Sequence, residues 1–182
     1  MKELSLHILD IVQNSFKASA RDVSVTVSED TKTDLLSIIV QDNGCGMSAD
    51  FVRRVLDPFV TTRTTRPVGL GLPLLHQAAL QTDGSLDIQS VPGEGTTVTV
   101  RFGLSHFDRP PLGDLAGTLC TLLGDTDGIH FVYTHRTEKG EFVLDTEELV
   151  EILGPVSLSE PAVFSFLLEF IGENLQEIGC GY

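Results

Sequence analysis

The spacing of apolar residues divides the first part of the chain into helices and strands. Residues 4–19 have the period of a helix with one buried face, formed by Leu6, Leu9, Val12 and Phe16 and widened by Ile8 and Ile11. Alternation of apolar and polar positions predicts a strand over 23–27, and an apolar run predicts another over 35–40. The polar turn at 29–34 favours their pairing as an antiparallel hairpin.

Two shorter helices and a loop are predicted next. Ser48 is a suitable N-cap for a helix that ends near Leu56. A second helix is predicted over 70–82, because Asp83-Gly84 can end it. The intervening segment 57–68 is rich in Thr, Arg and Pro and has few apolar residues, so we expect a mobile loop there.

A second pair of strands completes this part of the chain. Residues 86–90 and 96–102 predict another antiparallel hairpin, around the turn at 91–95. Helices and hairpins in this order predict an α+β fold. We expect a two-layer α/β sandwich, with helices on one face of a mostly antiparallel sheet.

The run Asp108-Arg109-Pro110-Pro111 predicts a boundary, because consecutive prolines stop regular structure. We therefore expect a first domain over 1–104, a linker over 105–111 and a small acidic α+β domain over 112–182. In this last region the pattern predicts helices near 112–123, 146–153 and 159–178, and a hairpin of 129–134 with 141–144.

Composition excludes several classes of protein. The 182 residues are 41% hydrophobic and 21% charged, which is typical of a soluble globular protein. No apolar run approaches the roughly 20 residues of a membrane span, and the N-terminus lacks the apolar stretch of a signal peptide. Three widely spaced cysteines argue against a disulfide framework and a cysteine zinc site. We expect a cytoplasmic protein with no membrane partner.

The net charge of −14 is distributed unevenly. Residues 1–104 carry nine Lys/Arg and twelve Asp/Glu, whereas residues 105–182 carry three and fourteen. Nucleic acid is therefore excluded as a partner, because phosphate binding needs clustered cations. The acidic half is either an ordinary solvated surface or a docking face for a basic protein partner.

The segment Asp42-Asn43-Gly44-Cys45-Gly46-Met47 follows a predicted strand and has the composition of a tight turn. Its two glycines would let the backbone fold closely around a flat ligand, and Asp42 could accept from an exocyclic amine. Cys45 is expected to be a small packing residue, although its oxidation or alkylation would block ligand binding.

Four polar residues of the first predicted helix share one face: His7, Asp10, Asn14 and Lys17. They could simply form the outer polar stripe of an amphipathic helix. They also suit a metal-bound phosphate, because Asn can supply an oxygen to Mg²⁺, Lys can meet phosphate charge and Asp can orient a water.

Two further glycine-containing segments could approach the same ligand. Val68-Gly69-Leu70-Gly71-Leu72 stands at a predicted helix start, where free N–H groups favour phosphate, or it is only a flexible helix entry. Gly93-Glu94-Gly95-Thr96-Thr97-Val98 is a hairpin turn whose Thr hydroxyl could reach an adenine ring.

In this order and at these spacings, five segments resemble the histidine-kinase-like ATPase superfamily, which has the Bergerat ATP-binding fold. They are residues 10–17, 42–47, 57–63, 69–72 and 93–98, and the resemblance covers roughly residues 1–103. The Asn-x-x-Lys spacing, the Pro-Phe-x-Thr-Thr segment and the Gly-Leu-Gly-Leu run are most similar to the catalytic module of sensor histidine kinases. In those kinases Lys usually stands where this chain has Arg63.

The resemblance implies that the cofactors are ATP and Mg²⁺. Asp42 would bind the adenine amine, with Thr97 supporting the pocket, and Asn14 would coordinate Mg²⁺. Lys17 would meet the phosphates, and residues 59–68 would form the ATP lid. The residues expected to bind the nucleotide are Asn14, Lys17, Asp42, Gly44, Gly46, Met47, Phe59, Thr61, Thr62, Arg63, Gly69, Leu70, Gly71, Leu72 and Thr97.

Asp10 is the candidate catalytic residue and departs from the family pattern. The ATPases and serine kinases of the superfamily usually have Glu at this position, four residues before the Asn. A side chain shorter by one methylene retracts the carboxylate by about 1.5 Å, and a displacement of about 1 Å can lower a rate about 10²-fold. Histidine kinases do not need this base, because their phosphoacceptor is itself nucleophilic.

Two functions remain open. We favour an enzyme that transfers the γ-phosphate to a partner protein or hydrolyses ATP slowly. The alternative is a nucleotide-gated interaction module whose acidic region docks a partner. No phosphoacceptor hairpin precedes the first motif, so we expect the acceptor in another protein or in the C-terminal region. There His106, His130 and His135 are expected to be ordinary surface histidines.

Overall fold

The structure is a computed structural model that describes residues 3–56, 71–126, 128–154, 157–158 and 160–180. The predicted loop at 57–68 lies outside these residues. In chain order the elements are α1 (Leu4–Lys17), β1 (Asp22–Asp30), β2 (Leu35–Asp42), α2 (Ala49–Val52), α3 (Gly71–Leu80), β3 (Ser85–Val91), β4 (Gly95–Gly103), α4 (Leu115–Gly124), β5 (His130–Thr137), β6 (Gly140–Asp145), α5 (Thr146–Leu153) and α6 (Pro161–Glu177).

The six strands form one sheet in the order β3-β4-β2-β1-β5-β6. Both predicted hairpins of the first hundred residues are present, and β2 pairs with β4 between them, also antiparallel. The strands β1 and β5 are parallel, and β5 and β6 form a third antiparallel hairpin. The prediction of an α+β fold with a mostly antiparallel sheet is therefore confirmed.

One face of this sheet is covered and the other is open. Side chains alternate along each strand, so register partners share a face. On the covered face β1, β2, β4 and β5 bury consecutive alternate positions, which include Val25, Val40, Val98 and Tyr133. Intervening positions such as Gln41 and Arg101 are exposed. This one-sided burial defines the two layers.

The helix α1 contributes its predicted apolar face to the core, with a small rotation. Its fully buried positions are Leu4, Ile8 and Val12, whereas Leu6 is 40% exposed. The first N–H groups of α1 are capped by two backbone carbonyls at the point where the predicted linker ends. Leu4 N donates to Pro111 O at 2.9 Å, and Ser5 N donates to Leu112 O at 2.8 Å.

The sheet and the core both contain residues from the two sides of the predicted linker. Seven register pairs join β1 to β5, from Asp22 with His130 to Ser28 with Arg136. The helix α4 contacts both α1 and α6. A separate C-terminal domain therefore remains only a prediction, since in the structure residues 112–180 extend the sheet of the first region.

The expectation of surface histidines is wrong for one of the three. His135 is fully buried on the covered face of β5, whereas His130, five positions earlier, is half-buried on the opposite face. The Cys45 prediction is also wrong, because this side chain is exposed. Among the described residues no helix has the length and apolar character to cross a membrane.

A truncation in α4 tests whether both regions unfold together. Leu119 is fully buried, so Leu119→Ala should lower the free energy of unfolding by about 2–5 kcal/mol. Because the core is continuous, we expect one cooperative transition in urea, reported alike by tyrosine fluorescence and circular dichroism. The exposed Thr121 of the same helix provides the control Thr121→Ala. Two separate transitions, with only one shifted by Leu119→Ala, would show independent domains.

Candidate functional site

The carboxylate of Asp42 is held from two sides at the end of β2. Its Oδ1 accepts from the N–H of Gly44 at 2.9 Å, and its Oδ2 accepts from the hydroxyl of Ser15 at 2.6 Å. Each carboxylate oxygen has two acceptor sites, so the group can accept a further donor after these two bonds. Asp42 is half-buried, and its carboxylate is thus oriented before any ligand arrives.

Ser15 is a site residue that the sequence analysis missed. Its side chain is 3% exposed, and its hydroxyl also lies 3.3 Å from Ile11 O. A hydroxyl has a single hydrogen, and the shorter, charge-assisted bond to Asp42 is the stronger one. The available signal was periodicity, because Ser15 follows Leu4, Ile8 and Ile11 on the buried face of α1. A polar residue on that face needs a buried partner.

The glycines of the two turns allow protein backbone to pack against protein backbone. Gly46 has φ +64° and Gly95 has φ +126°, which favour glycine. A Cβ on Gly46 would overlap the carbonyl of Val91, and one on Gly95 would overlap the carbonyl of Asp42. The turn after β2 is therefore closed onto the β3–β4 hairpin. The sequence predicts that these glycines approach the ligand, but their nearest neighbours are other segments of the chain.

A cluster of hydroxyl groups lies beside Asp42 on this hairpin. Ser90 Oγ accepts from Met47 N at 2.8 Å and lies 2.9 Å from both Gly95 O and Thr96 Oγ1. Thr96 is the register partner of Asp42, so both side chains are on the covered face. Thr97 pairs with Gln41 on the open face. The structure thus brings Thr96, and not the predicted Thr97, next to Asp42.

The expected phosphate-binding residues lie along α1. Asn14 Nδ2 is 3.5 Å from Asp10 Oδ2, as the one-turn spacing predicted. Gly71, the first residue of α3, packs against Asp10 so closely that a Cβ there would overlap the carboxylate. Lys17 ends α1 and is exposed. The start of α3 therefore meets the polar face of α1.

His7 lies one turn before Asp10 and is 3% exposed. Burial is the main cause that lowers the pKa of His7 from 6.5, while a hydrogen bond that the imidazole donates to the Gly71 backbone and the charge of Asp10 act in the opposite direction. The imidazole is consequently neutral at pH 7.

Leu72 is partly buried against the core. The remaining candidates, Phe59, Thr61, Thr62, Arg63, Gly69 and Leu70, lie outside the described residues.

The fold and the site together define a class of protein. The fold is a two-layer sandwich, and the site is an oriented carboxylate between a helix and a hairpin that is closed by glycines. Residues 2–106, more than half of the chain, match the family described as histidine kinase-, DNA gyrase B-, and HSP90-like ATPase. This chain belongs to that family, and residues 2–106 are its ATP-binding domain.

Several curated relatives align with the same part of the chain. The "Non-motile and phage-resistance protein" of Caulobacter vibrioides is 33% identical over 111 residues, 56% of this chain and 13% of the relative. "Sensor histidine kinase RcsC" of Salmonella typhimurium is 33% identical over 116 residues, 59% of this chain and 12% of the relative. "Histidine protein kinase DivJ" of Caulobacter vibrioides is 35% identical over 98 residues, 52% of this chain and 16% of the relative. The chain thus matches less than one fifth of the length of these relatives.

A solved structure, "Crystal Structure of N terminal domain of a DNA repair protein", has a similar fold with a TM-score of 0.55 and 18% identity. The superposition covers 80% of this chain and 53% of that chain. The superposed part of this chain is larger than the part formed by residues 2–106. The likeness in fold therefore includes part of the region beyond residue 106.

Replacing the carboxylate tests the adenine site. An amide has one acceptor oxygen, so Asp42→Asn cannot accept from Ser15, Gly44 and an adenine amine as the carboxylate can. A hydrogen bond to a charged group contributes about 1.5–3 kcal/mol, so ATP affinity should fall about 10–100-fold in isothermal titration. Asp87→Asn, on the exposed strand β3, should bind like wild type. Unchanged affinity in Asp42→Asn would place adenine elsewhere.

A matched pair of substitutions tests the strand register. Thr96→Val removes the hydroxyl beside Asp42, whereas Thr97→Val removes one on the opposite face. The loss of one neutral hydrogen bond costs about 0.5–1.5 kcal/mol. Thr96→Val should therefore weaken ATP binding about 2–12-fold, measured by competition with a fluorescent ATP analogue, and Thr97→Val should not. The reverse order would restore the original prediction for Thr97.

Proposed function

We propose that this protein is a Mg²⁺-ATP-dependent regulatory protein that transfers the γ-phosphate of ATP to a partner protein and hydrolyses ATP only slowly. The observation that carries the proposal is the Asp42 carboxylate, held by Ser15 and Gly44 opposite Thr96. From Ser15 the helix α1 runs back to Asn14 and Asp10. Gly71, the first residue of α3, packs against Asp10. The site therefore offers an adenine end and a phosphate end on one helix.

The residues at the phosphate end fit Mg²⁺. The Asn14 amide directs its nitrogen toward Asp10, and an amide oxygen is a ligand that Mg²⁺ accepts. The exposed Lys17 ammonium can meet phosphate charge one turn further along the same face. A bound Mg²⁺ would neutralise the phosphate oxygens. We thus assign the binding of Mg²⁺ to Asn14 and the binding of phosphate to Lys17.

The environment of Asp10 favours transfer to a nucleophilic side chain over hydrolysis. Its carboxylate lies near the Asn14 amide and is covered on one side by Gly71. A carboxylate that is shorter than Glu and held in this way is poorly placed to activate a water. A protein nucleophile can attack the γ-phosphorus directly. The bond to the β–γ bridging oxygen then breaks, and ADP leaves with that oxygen.

The second candidate function, a nucleotide-gated interaction module, is favoured by the surface of α6. Phe166 and Phe170 are 55% and 37% exposed and stack at 6.0 Å between ring centroids, and Phe170 also meets the ring of Phe142. Glu169, Glu173 and Glu177 are exposed on the same helix. Apolar anchors among acidic groups suit a basic partner with apolar side chains. A second copy of this acidic chain would be repelled.

Labelling with γ-labelled ATP separates the two functions. In extract from the source cells, the wild-type protein should label a partner protein, and Asn14→Ala should abolish that labelling. Asp10→Asn should retain the labelling while it lowers the release of free phosphate. Gln13→Ala, on the same helix, is the matched control. Tight ATP binding with no protein labelled would instead support the gated module.

The α6 surface has its own test. Phe166→Ser should reduce the amount of partner retained by the ATP-bound protein at least about 10-fold, because buried aromatic anchors contribute about 2 kcal/mol or more, and should leave ATP affinity unchanged. The control Phe107→Ser removes a phenylalanine that is 97% exposed and lies outside α6. Equal retention of the partner by both variants would exclude α6 as the docking face.

A further inference from the structure

A second polar cluster lies on the covered face of the sheet, at the end opposite the ATP site. Glu29 comes from the end of β1, His135 from β5 and Cys180 from the chain that follows α6. One donor atom of each residue, the carboxylate oxygen, the imidazole nitrogen and the sulfur, lies within 4.8 Å of the other two. These three residues are far apart in sequence, and only the fold brings them together.

The cluster is buried and its geometry is fixed by hydrogen bonds. His135 Nε2 is 2.8 Å from Glu29 Oε1, and its Nδ1 is 2.8 Å from the hydroxyl of Tyr133. His135 and Tyr133 are fully buried, Cys180 is 6% exposed, and the side chain of Glu29 retains 9% exposure. The cluster therefore lies just beneath the surface, with Glu29 nearest to solvent.

The cap of α6 positions the sulfur. Gly179, with φ +68°, donates to Gln176 O at 2.9 Å, and Cys180 N donates to Leu175 O at 3.0 Å. This pair of bonds is the Schellman motif, which reverses the chain at a helix end. The hydroxyl of Thr137 on β5 also donates to Ile178 O. Cys180 is thus held against the sheet by the helix cap and by the bond from Thr137 to the neighbouring Ile178.

We propose that Glu29, His135 and Cys180 form a binding site for a divalent transition-metal ion of the zinc type. Thiolate, imidazole and carboxylate are the three donors found in zinc sites, with bonds of about 2.0–2.3 Å. Such bonds at tetrahedral angles separate the donors by about 3.3–3.8 Å. The observed donors lie within 4.8 Å of one another, with 2.8 Å between His135 Nε2 and Glu29 Oε1, so shifts of at most about 1 Å bring them to this spacing. A water entering beside Glu29 would be the fourth ligand.

The surroundings of His135 match the support that metal-binding histidines have. The ring nitrogen that does not bind the metal usually forms a hydrogen bond that fixes the tautomer. With Nε2 as the ligand, Nδ1 carries the hydrogen and donates to the Tyr133 hydroxyl. Without metal the same ring can donate from Nε2 to Glu29 and accept from Tyr133. Both nitrogens of the His135 ring therefore have a partner in either state.

The metal-free state retains the thiol proton. Burial, and to a smaller extent the charge and hydrogen bond of Glu29, raise the pKa of Cys180 to about 12. Metal binding must displace that proton to form the thiolate, so one proton leaves for each ion bound. Bound metal would join the chain after α6 to β1 and β5. It would stabilise the fold independently of ATP.

Cobalt titration of the full chain tests the proposal. After treatment with a chelator under reducing conditions, Co²⁺ should bind with a stoichiometry of one. It should produce a thiolate-to-cobalt charge-transfer band and tetrahedral d–d bands, and Zn²⁺ should displace both. Zn²⁺ at about 100 times its Kd should raise the Tm by roughly 5–10 °C. A wild-type protein without these bands would overturn the proposal, leaving the cluster a hydrogen-bonded anchor.

Variants identify the ligands. Cys180→Ser should lose the charge-transfer band and weaken Co²⁺ binding at least about 10-fold, and Glu29→Gln should weaken binding while it retains the band. Cys45→Ser and Cys120→Ser, at an exposed and a buried cysteine outside the cluster, should bind like wild type. ATP affinity and circular dichroism confirm that each variant is folded. A band that survives in Cys180→Ser, or unchanged Co²⁺ affinity in a folded Glu29→Gln, would contradict the assignment.

Discussion

The one-sided burial of the six-stranded sheet is the constraint on which the rest of the structure depends. Because side chains alternate, register partners present one apolar surface to the helices, from Val98 on β4 to Tyr133 on β5. Two groups of polar side chains interrupt that surface, and they lie at its opposite ends. Asp42 with Thr96 is one group, and Glu29 with His135 is the other. Buried polar groups require hydrogen-bond partners, so the residues of both groups are held by hydrogen bonds.

The same constraint explains why the carboxylate of Asp42 is already oriented without ligand. Ser15 comes from the buried face of α1 and reaches Asp42, while glycines without space for a Cβ close the neighbouring turn onto the hairpin. Orientation of the carboxylate is thus a consequence of core packing. Since β5 pairs with β1 and α4 contacts α1, the acidic C-terminal region shares that core.

Local chemistry made much of the fold predictable from sequence. Each helix and strand seen in the described residues was expected within a few positions, because periodicity and turn residues report directly on local structure. Motif spacing predicts Asp42 and Asn14 as nucleotide-binding residues, and these two assignments remain predictions. Thr97 was predicted and Thr96 was not, because the sequence of a Thr-Thr pair does not indicate which residue faces the covered side of the sheet. Ser15, buried His135 and the parallel β1–β5 pairing depend on long-range contacts, which no local pattern contains.

The central claim is that Asp42 accepts the exocyclic amine of adenine. The most direct measurement compares the affinity of the full chain for ATP and for inosine triphosphate, which carries an oxygen in place of that amine. A hydrogen bond to a charged group contributes about 1.5–3 kcal/mol, so wild type should prefer ATP about 10–100-fold. In Asp42→Asn this preference should disappear. Equal affinity of the wild-type protein for the two nucleotides would contradict the account.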